Sequence, residues 1–281
     1  MKVLVTGVTG QLGFDVARVL KEKNVEVFAA NRNDFSLTDY RKAQEVMRKF
    51  KPDVIIHAAA YTAVDKAEEE KELAFKVNGE GTRNLAKIAK ELDSKFVYIS
   101  TDYVFPGEGD NFYATTDKTA PLNVYGASKL MGEEAVREIL EKYFIVRISW
   151  VFGVNGKNFV KTMLRLGKER EELRVVSDQV GSPTYTYDLA KLLSNMITTT
   201  KYGIYHATNE GVCSWAEFAE EIFKLSNIKT KIIPIVSEEY PTPAKRPKNS
   251  RLDKISLDEN GFNRLPHWKD ALKRYLEEIE L

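Results

Sequence analysis

The stretch Lys2-Val3-Leu4-Val5-Thr6-Gly7-Val8-Thr9-Gly10-Gln11-Leu12-Gly13 decides the fold of this chain. Its first five residues are mostly apolar and rich in β-branched side chains, which is typical of a strand covered on both faces. Three glycines follow with the spacing G-x-x-G-x-x-G, and residues 15–23 have a helical pattern. Because glycines let a pyrophosphate approach the backbone and a helix N-terminus presents free N–H groups, this order predicts a nucleotide-binding loop. The alternative interpretation is a tight turn without a ligand.

The alternation of strand and helix continues to about residue 150. It predicts an α/β fold, a Rossmann-like doubly wound parallel sheet, over residues 1–153. Residues 154–281 are less regular, and we expect them to form mostly a smaller C-terminal substrate-binding lobe, interleaved with the last strands and helices of the main sheet. After the first strand and helix, strands are predicted at residues 25–30, 53–60, 95–100 and 143–149, and helices at residues 38–49, 68–92 (broken near Asn78-Gly79), 125–142 and 268–280.

Composition excludes several classes of protein. The 42 lysines and arginines are balanced by 41 acidic residues, so no basic excess favours nucleic acid or an anionic membrane surface. The single cysteine, Cys213, excludes an intrachain disulfide, and the three histidines lack a metal-ligand spacing, so no metal site is predicted. With neither a signal peptide nor a membrane-span pattern, the expected location is cytoplasmic. Neither Cys213 nor His57 receives a role.

The second predicted strand ends at Asn31-Arg32, where enzymes that bind NAD carry an acid for the ribose hydroxyls. Asn31 cannot accept from both hydroxyls as a carboxylate can, and Arg32 could pair with a 2′-phosphate. The sequence therefore slightly favours NADPH over NADH, with Asp34-Phe35 within reach of the adenine. The small residues Ala58-Ala59-Ala60 would let a ligand lie against the backbone at the carboxyl edge of the sheet.

Polar and aromatic residues follow the later strands at the same edge. Thr101-Asp102 could hold a polar substrate, or could be a capped loop, and Trp150 could face a ligand or the core. Tyr125 and Lys129 are four residues apart, which places them on one side of a helix. A lysine charge there would lower the phenol pKa and provide an acid or base near neutral pH. That spacing alone is common by chance on amphipathic helices.

The glycine loop, Ser100-Thr101 and the Tyr125…Lys129 pair together resemble the extended short-chain dehydrogenase/reductase family, which uses this G-x-x-G-x-x-G spacing. More narrowly, nearly the whole chain resembles the dTDP-4-dehydrorhamnose reductases of that family. Several separate segments in the right order carry this resemblance, at residues 58–68, 100–107, 150–153, 181–184, 213–215 and 246–250.

The resemblance implies that NADPH or NADH gives a hydride to the C4 keto carbon of dTDP-4-dehydro-L-rhamnose. The product would be dTDP-L-rhamnose, a precursor of cell-surface polysaccharide. It also implies that Tyr125 donates the proton and that Thr101 hydrogen-bonds the carbonyl oxygen. Lys129 would lower the phenol pKa and bind the nicotinamide ribose.

The same resemblance, with the patterns above, assigns the binding residues. For the cofactor they are Gly7, Gly10, Gln11, Leu12, Gly13, Asn31, Arg32, Asp34, Phe35, Ala58, Ala59, Ala60, Tyr61, Tyr125 and Lys129. For the dTDP-sugar substrate they are Thr101, Asp102, Trp150 and Arg246, the last facing the diphosphate. Some members bind magnesium at a dimer contact, but its acidic ligands are not matched in this sequence, so the resemblance leaves magnesium unsupported and a homodimer open.

Three rival functions stay open at this point. A nucleotide-sugar epimerase of the same fold needs only the tyrosine, the lysine and bound NAD. A dehydratase is disfavoured because Tyr103 stands where the similar dehydratases have a glutamate. A non-catalytic regulatory subunit of methionine adenosyltransferase would not depend on an intact Tyr125–Lys129 pair.

Overall fold

The computed structural model describes residues 1–279 and centres on a six-stranded parallel sheet. The strands in chain order are β1 (Lys2–Thr6), β2 (Glu26–Ala30), β3 (Val54–His57), β4 (Lys95–Thr101), β5 (Tyr143–Ile148), β6 (Val151–Phe152), β7 (Glu172–Val176), β8 (Val180–Gly181), β9 (Thr184–Tyr185), β10 (Gly203–His206), β11 (Asn209–Glu210), β12 (Cys213–Ser214), β13 (Lys231–Ile235), β14 (Asn249–Ser250) and β15 (Leu265–His267).

Helices fill the connections. They are α1 (Gln11–Glu22), α2 (Tyr40–Phe50), α3 (Val64–Ala67), α4 (Lys71–Phe75), α5 (Gly81–Glu91), α6 (Val124–Ile139), α7 (Phe159–Glu169), α8 (Thr186–Met196), α9 (Trp215–Leu225), α10 (Ile255–Glu259) and α11 (Trp268–Ile279), with a π-helical turn at Lys76–Glu80 and 3₁₀ turns at Asp102–Val104 and Ser237–Glu239. Within residues 1–279, no helix is both long and apolar enough to cross a bilayer.

The main sheet has the order β10-β5-β4-β3-β1-β2, and every neighbouring pair is parallel. One apolar cluster packs α1 and α8 on one face, and another packs α2, α5 and α6 on the other. The structure therefore confirms the predicted doubly wound α/β fold. The strand order reverses between β1 and β3, and open sheets of this kind bind ligands at such a switch point, outside the carboxyl ends of the strands.

Several boundaries differ from the sequence prediction for identifiable reasons. Helix α1 begins at Gln11, four residues before the predicted start at residue 15, because extended Gly10 leads the glycine loop directly into the helix. The break predicted near Asn78-Gly79 is the π-helical turn inside one continuous helical segment. The closing helix is described to Ile279, and its predicted end, Glu280, lies outside the described residues.

The second half of the chain contributes to two cores. Strand β10 pairs with β5 at the edge of the main sheet, and α8 packs beside α1. A separate cluster brings α7, α9 and α11 together with the β7–β13 pair, and it contains Phe218 and Tyr275. The strands of the small sheet β12-β8-β14 are interspersed in sequence among these elements, and the sheet contributes residues to the site.

A buried ion pair anchors α6 to the sheet. Glu133 on α6 accepts hydrogen bonds from Arg147 on β5 at 2.9 and 2.7 Å, and from the Ser100 hydroxyl on β4 at 2.5 Å. The Glu133 and Arg147 side chains are 1% and 3% exposed. Because an unpaired charge in the protein interior is energetically costly, Glu133 and Arg147 can each remain buried only when the other is present.

We expect Glu133→Gln to lower the free energy of unfolding by about 3–5 kcal/mol, since it leaves Arg147 buried without a counter-charge. Chemical denaturation of the purified variant measures this loss. The matched control is Glu169→Gln, which breaks the exposed Arg165–Glu169 pair on α7 and should cost about 0.3–0.5 kcal/mol. Equal losses in the two variants would contradict the anchoring role.

Candidate active site

The glycine loop is shaped by its own packing. Gly7 has a φ of +74°, and a Cβ there would lie 2.7 Å from the Ala59 nitrogen. A Cβ on Gly13 would lie 2.3 Å from the Gly7 carbonyl oxygen. Only glycine fits at these two positions, so the loop lies close against Ala59 and exposes its backbone at the N-terminus of α1. That arrangement is suited to a phosphate.

The predicted loop residues Gln11 and Leu12 take different positions. Leu12 is buried in the core cluster beneath α1, so only its main chain is available to a ligand. Gln11 is half-buried, and its side chain accepts a hydrogen bond from Asn158 at 3.1 Å. Asn155 donates to the carbonyl of Thr9 at 2.9 Å. The segment after β6 therefore braces the outer side of the loop.

The end of β2 forms a compact turn. Asn31 Oδ1 accepts from the Asn33 N–H at 2.8 Å, and one Asp34 oxygen accepts from the Asn31 N–H at 2.8 Å. Arg32 is exposed. Phe35 is 5% exposed and packs in the core, so its placement within reach of an adenine stays a prediction. In this turn the Asp34 carboxylate is therefore bonded to the backbone, whereas the Arg32 guanidinium faces solvent.

Beyond β3, Ala58, Ala59 and Ala60 are half-buried and lie beside the glycine loop. The next residue, Tyr61, is held at both main-chain atoms: its N–H donates to Asn78 Oδ1 at 2.8 Å, and its carbonyl accepts from Asn78 Nδ2 at 3.0 Å. Asn78 lies in the π-helical turn, a feature frequent at functional sites. Small residues thus lie next to the loop, and the side chain of Asn78 fixes the segment that follows them.

Tyr125 lies in the first turn of α6, which is capped by the Asn123 side chain accepting from the Gly126 N–H at 2.8 Å. Burial raises the pKa of the Tyr125 phenol well above its ordinary value, the Asp102 carboxylate raises it further, and a hydrogen bond with the Thr101 side chain opposes both. This is opposite to the predicted direction. Tyr125 therefore stays protonated across the physiological range and is suited to donate a proton.

Lys129 is buried one turn further along α6. Its Nζ donates to the Ile99 carbonyl at 2.7 Å and lies 4.1 Å from the centre of the Tyr98 ring. Burial lowers the pKa of Lys129 to about 7, against the opposing charge of Glu133. The groups that shift the phenol pKa of Tyr125 are Asp102 and Thr101, besides burial, and Lys129 is not one of them. The depression of the phenol pKa that the spacing predicted is therefore not found.

Thr101 and Asp102 lie together at the end of β4. The Thr101 hydroxyl donates to Asp102 Oδ1 at 2.9 Å, and the Ser250 hydroxyl on β14 donates to Asp102 Oδ2 at 2.5 Å. Burial raises the pKa of Asp102 to about 6, although both hydrogen bonds lower it. Asp102 is 4% exposed, and both of its oxygens are bonded within the protein. A contact between Asp102 and the substrate stays a prediction.

Trp150 follows β5 in the left-handed region, with a φ of +49°. Its half-buried ring stacks on Trp215, at the start of α9, with centroids 3.8 Å apart. A Cβ on Gly181 would lie 3.1 Å from the Trp150 ring. A strained backbone held by close packing on two sides is typical of a functional position. Trp150 is therefore neither a plain core residue nor a free surface one.

Arg246 is paired within the protein. Its guanidinium donates to both oxygens of Asp65, at 3.0 and 2.7 Å. It lines a cleft of about 720 Å³ between residues 106–110 and 237–251. The described residues that line this cleft do not include Thr101, Tyr125 or Trp150. Without a ligand, Arg246 is thus committed to Asp65, and its contact with a diphosphate stays a prediction.

His57 is a buried part of the hydrogen-bond network. The Thr82 hydroxyl donates to the Asn78 carbonyl at 2.6 Å, so it accepts from His57 Nε2 at 3.2 Å. Thr6 Oγ1, which accepts from the Ala59 N–H, then donates to His57 Nδ1 at 2.8 Å. Burial and the nearby Lys129 lower the pKa of His57 to about 3. The neutral ring therefore connects β1 to α5.

Comparison with known proteins gives the family of this chain. A family model described as the RmlD substrate binding domain matches residues 1–281. The chain belongs to the RmlD substrate binding domain family. This membership confirms the resemblance drawn from the sequence motifs.

Three relatives illustrate the RmlD family. The spore coat polysaccharide biosynthesis protein SpsK of Bacillus subtilis is 42% identical, with 99% of this chain and 97% of SpsK covered. The dTDP-4-dehydrorhamnose reductase of Escherichia coli is 41% identical, over 99% and 98% of the two chains. A crystal structure of dTDP-4-dehydrorhamnose reductase from Bacillus anthracis in complex with NADP is 45% identical, covers 99% of each chain and superposes with a TM-score of 0.97.

In residues 1–279, no group of three or more histidine, cysteine, aspartate or glutamate side chains is placed to hold a metal ion. Cys213 is buried, and burial raises the pKa of its thiol.

Sequence reasoning missed four residues of this RmlD-type site: Asn78, Glu133, Trp215 and Ser250. Glu133 had a detectable signal, because it continues the four-residue spacing of Tyr125 and Lys129 along α6. Trp215 and Ser250 lay in segments quoted for the resemblance but carried no individual pattern. Their contacts are made across the fold, from α9 and β14.

We expect the His57 imidazole to remain neutral, with its proton on Nε2, between about pH 5 and 8. Because the native pKa of about 3 lies below the ordinary value, its contribution to stability is complete above about pH 6.5 and is lost as the pH falls. NMR titration of labelled imidazoles measures both features, with the exposed His267 as the reference in the same spectra. Protonation of His57 within this window, or a proton on Nδ1, would contradict the network.

Proposed function

We propose that this protein is a dTDP-4-dehydrorhamnose reductase that uses NADPH to reduce the C4 keto group of dTDP-4-dehydro-L-rhamnose to dTDP-L-rhamnose. The observation that carries the proposal is the protonated Tyr125 phenol beside Thr101, at the same sheet edge as the glycine loop. Identity above 40% to reductases of this name over nearly the full length supports the substrate. The expected setting is the cytoplasm, with a homodimer as the proposed assembly.

The cofactor would lie on the glycine loop, where the fit is supported by the close approach of Gly7 to Ala59 and by the free N-terminus of α1. When bound, the nicotinamide supplies a hydride to the C4 carbon. Tyr125 donates its proton to the C4 oxygen as negative charge develops there, because its raised pKa keeps it protonated until that moment. Lys129, with further N–H donors beyond its bond to Ile99, holds the nicotinamide ribose.

The substrate would enter over Trp150 and Thr101. Trp150 presents an aromatic surface that the stack on Trp215 holds in place. Arg246 keeps the loop 244–250 attached to Asp65 and so shapes the rim near Tyr103, whose ring lies edge-on to Tyr125 at 5.6 Å. In this proposal, Arg246 positions the loop rather than contacting the diphosphate.

We expect Tyr125→Phe to lower kcat by about 10²–10⁴-fold, because the transition state loses its proton donor, while NADPH binding persists. Loss of nicotinamide absorbance with purified ketosugar nucleotide measures the rate, and a fluorescence titration measures cofactor binding. The control is Tyr202→Phe, in the turn before β10, which should retain wild-type activity. Full activity in Tyr125→Phe would overturn the mechanism.

The same assay separates the rival functions. A reductase consumes NADPH in proportion to substrate, whereas an epimerase shows no net consumption. Absence of ketosugar reduction, together with co-purification of a methionine adenosyltransferase, would favour the regulatory subunit.

We expect Arg32→Glu to lower the ratio of kcat/KM for NADPH to that for NADH by about 10–100-fold, because a hydrogen-bonded charge pair with the 2′-phosphate would be lost. The variant exchanges an exposed charge, so folding should be preserved. Arg41→Glu, a charge reversal at an exposed position on α2, is the control and should leave the ratio unchanged. An unchanged ratio in Arg32→Glu would show that Arg32 does not select the cofactor.

A further inference from the structure

The Thr101 hydroxyl has one proton, and the structure directs it away from the place where a substrate carbonyl would lie. Thr101 Oγ1 donates to Asp102 Oδ1 at 2.9 Å and accepts from the Tyr103 N–H at 3.2 Å. A hydroxyl can donate only once. While Asp102 is ionised, Thr101 therefore has no proton left to donate to a ketone oxygen.

The surroundings of Asp102 make its protonation state adjustable. The groups that stabilise its charge are the Thr101 and Ser250 hydroxyls and main-chain N–H groups of its own turn, rather than a cation. Two titratable side chains face it, Tyr103 from the same turn and Tyr125 from α6, and burial raises the pKa of both. The charge of Arg246, from the loop before β14, lowers the pKa of Tyr103 and so opposes the effect of burial.

We propose that Asp102 is a positioning residue that sets the direction of the Thr101 hydrogen bond, and that its neutral form turns Thr101 into a donor to the substrate carbonyl. In the neutral form, Ser250 donates to Asp102 Oδ2 and the Oδ1 hydroxyl donates to Thr101 Oγ1. The two acceptor positions of Thr101 are then filled by Asp102 and the Tyr103 N–H. Its own proton is free for the ketone oxygen.

This arrangement adds no covalent step. The proton that ends on the C4 hydroxyl still comes from Tyr125, and the Asp102 proton stays within the hydrogen-bonded chain. Thr101 contributes a second hydrogen bond to the oxygen on which charge develops. The inference rests on the proposed ketone reduction, but the state of the Asp102 carboxyl can be measured without any reaction.

The test is the pH dependence of kcat between about pH 5 and 9 with NADPH and ketosugar nucleotide at saturation. The wild type should lose rate, by about tenfold, as the pH rises through a step near the Asp102 pKa of about 6. Lys129, whose pKa lies at about 7, can add a separate step. Asp102→Asn should lose only the lower step, because its amide carries donors at every pH.

Ser250→Ala removes a donor to the ionised carboxylate and should move the lower step upward by about 1–2 pH units. The matched control is Ser94→Ala, a buried serine at the start of β4 whose hydroxyl bonds only the Pro52 carbonyl, at 2.5 Å, and whose loss should leave the steps unmoved. If Asp102 had only a structural role, Asp102→Asn would lower kcat at every pH and would leave the step near pH 6 in place. A step that persists in Asp102→Asn, or that Ser250→Ala does not move, overturns the proposal.

Infrared difference spectra of the whole protein keep the test independent of activity. A protonated-carboxyl band that titrates near pH 6 in the wild type, and is absent from Asp102→Asn, supports the proposal even if the ketosugar is not reduced. In that case the proposed function fails, while the hydrogen-bond assignment stands. A wild-type spectrum without this band overturns the inference, whatever the enzyme reduces.

Discussion

The buried ion pair between Glu133 and Arg147 is the interaction on which the arrangement of the site depends. It joins α6 to β5 where an unpaired charge would be most costly, and Ser100 on β4 adds a third bond. Tyr125 and Lys129 precede Glu133 at four-residue intervals on the same helix. Fixing Glu133 against the sheet therefore also fixes the height and rotation of the Tyr125 phenol beside the carboxyl ends of β4 and β5.

A second set of contacts connects the two halves of the chain at the same edge. The loop leading into β14 bonds the N-cap residue of α6 through the Lys245 carbonyl, which accepts from Asn123 at 2.8 Å. Ser250 on β14 bonds Asp102 in the turn after β4. The segment of residues 245–250 therefore brings groups from the second half of the chain to the N-terminus of α6 and to the turn that contains Asp102.

Much of this could be predicted from the sequence, because the signals were local. The glycine spacing after β1 requires backbone contacts that a Cβ would prevent, and helix periodicity places Tyr125 and Lys129 on one side of α6. The phenol pKa was predicted in the wrong direction, because spacing reports proximity and not burial. Desolvation is the largest cause of the raised phenol pKa, and no sequence pattern measures desolvation.

The sequence by itself determined the doubly wound sheet, the loop at the N-terminus of α1 and the family, since each rests on short local patterns or on the order of such patterns along the chain. The tertiary structure alone decided what those residues face. It paired Arg246 with Asp65, stacked Trp150 on Trp215 and brought Ser250 to Asp102, across 148 positions of sequence. Such pairings depend on how separate elements pack, and the protonation states of the site depend on the burial that this packing creates.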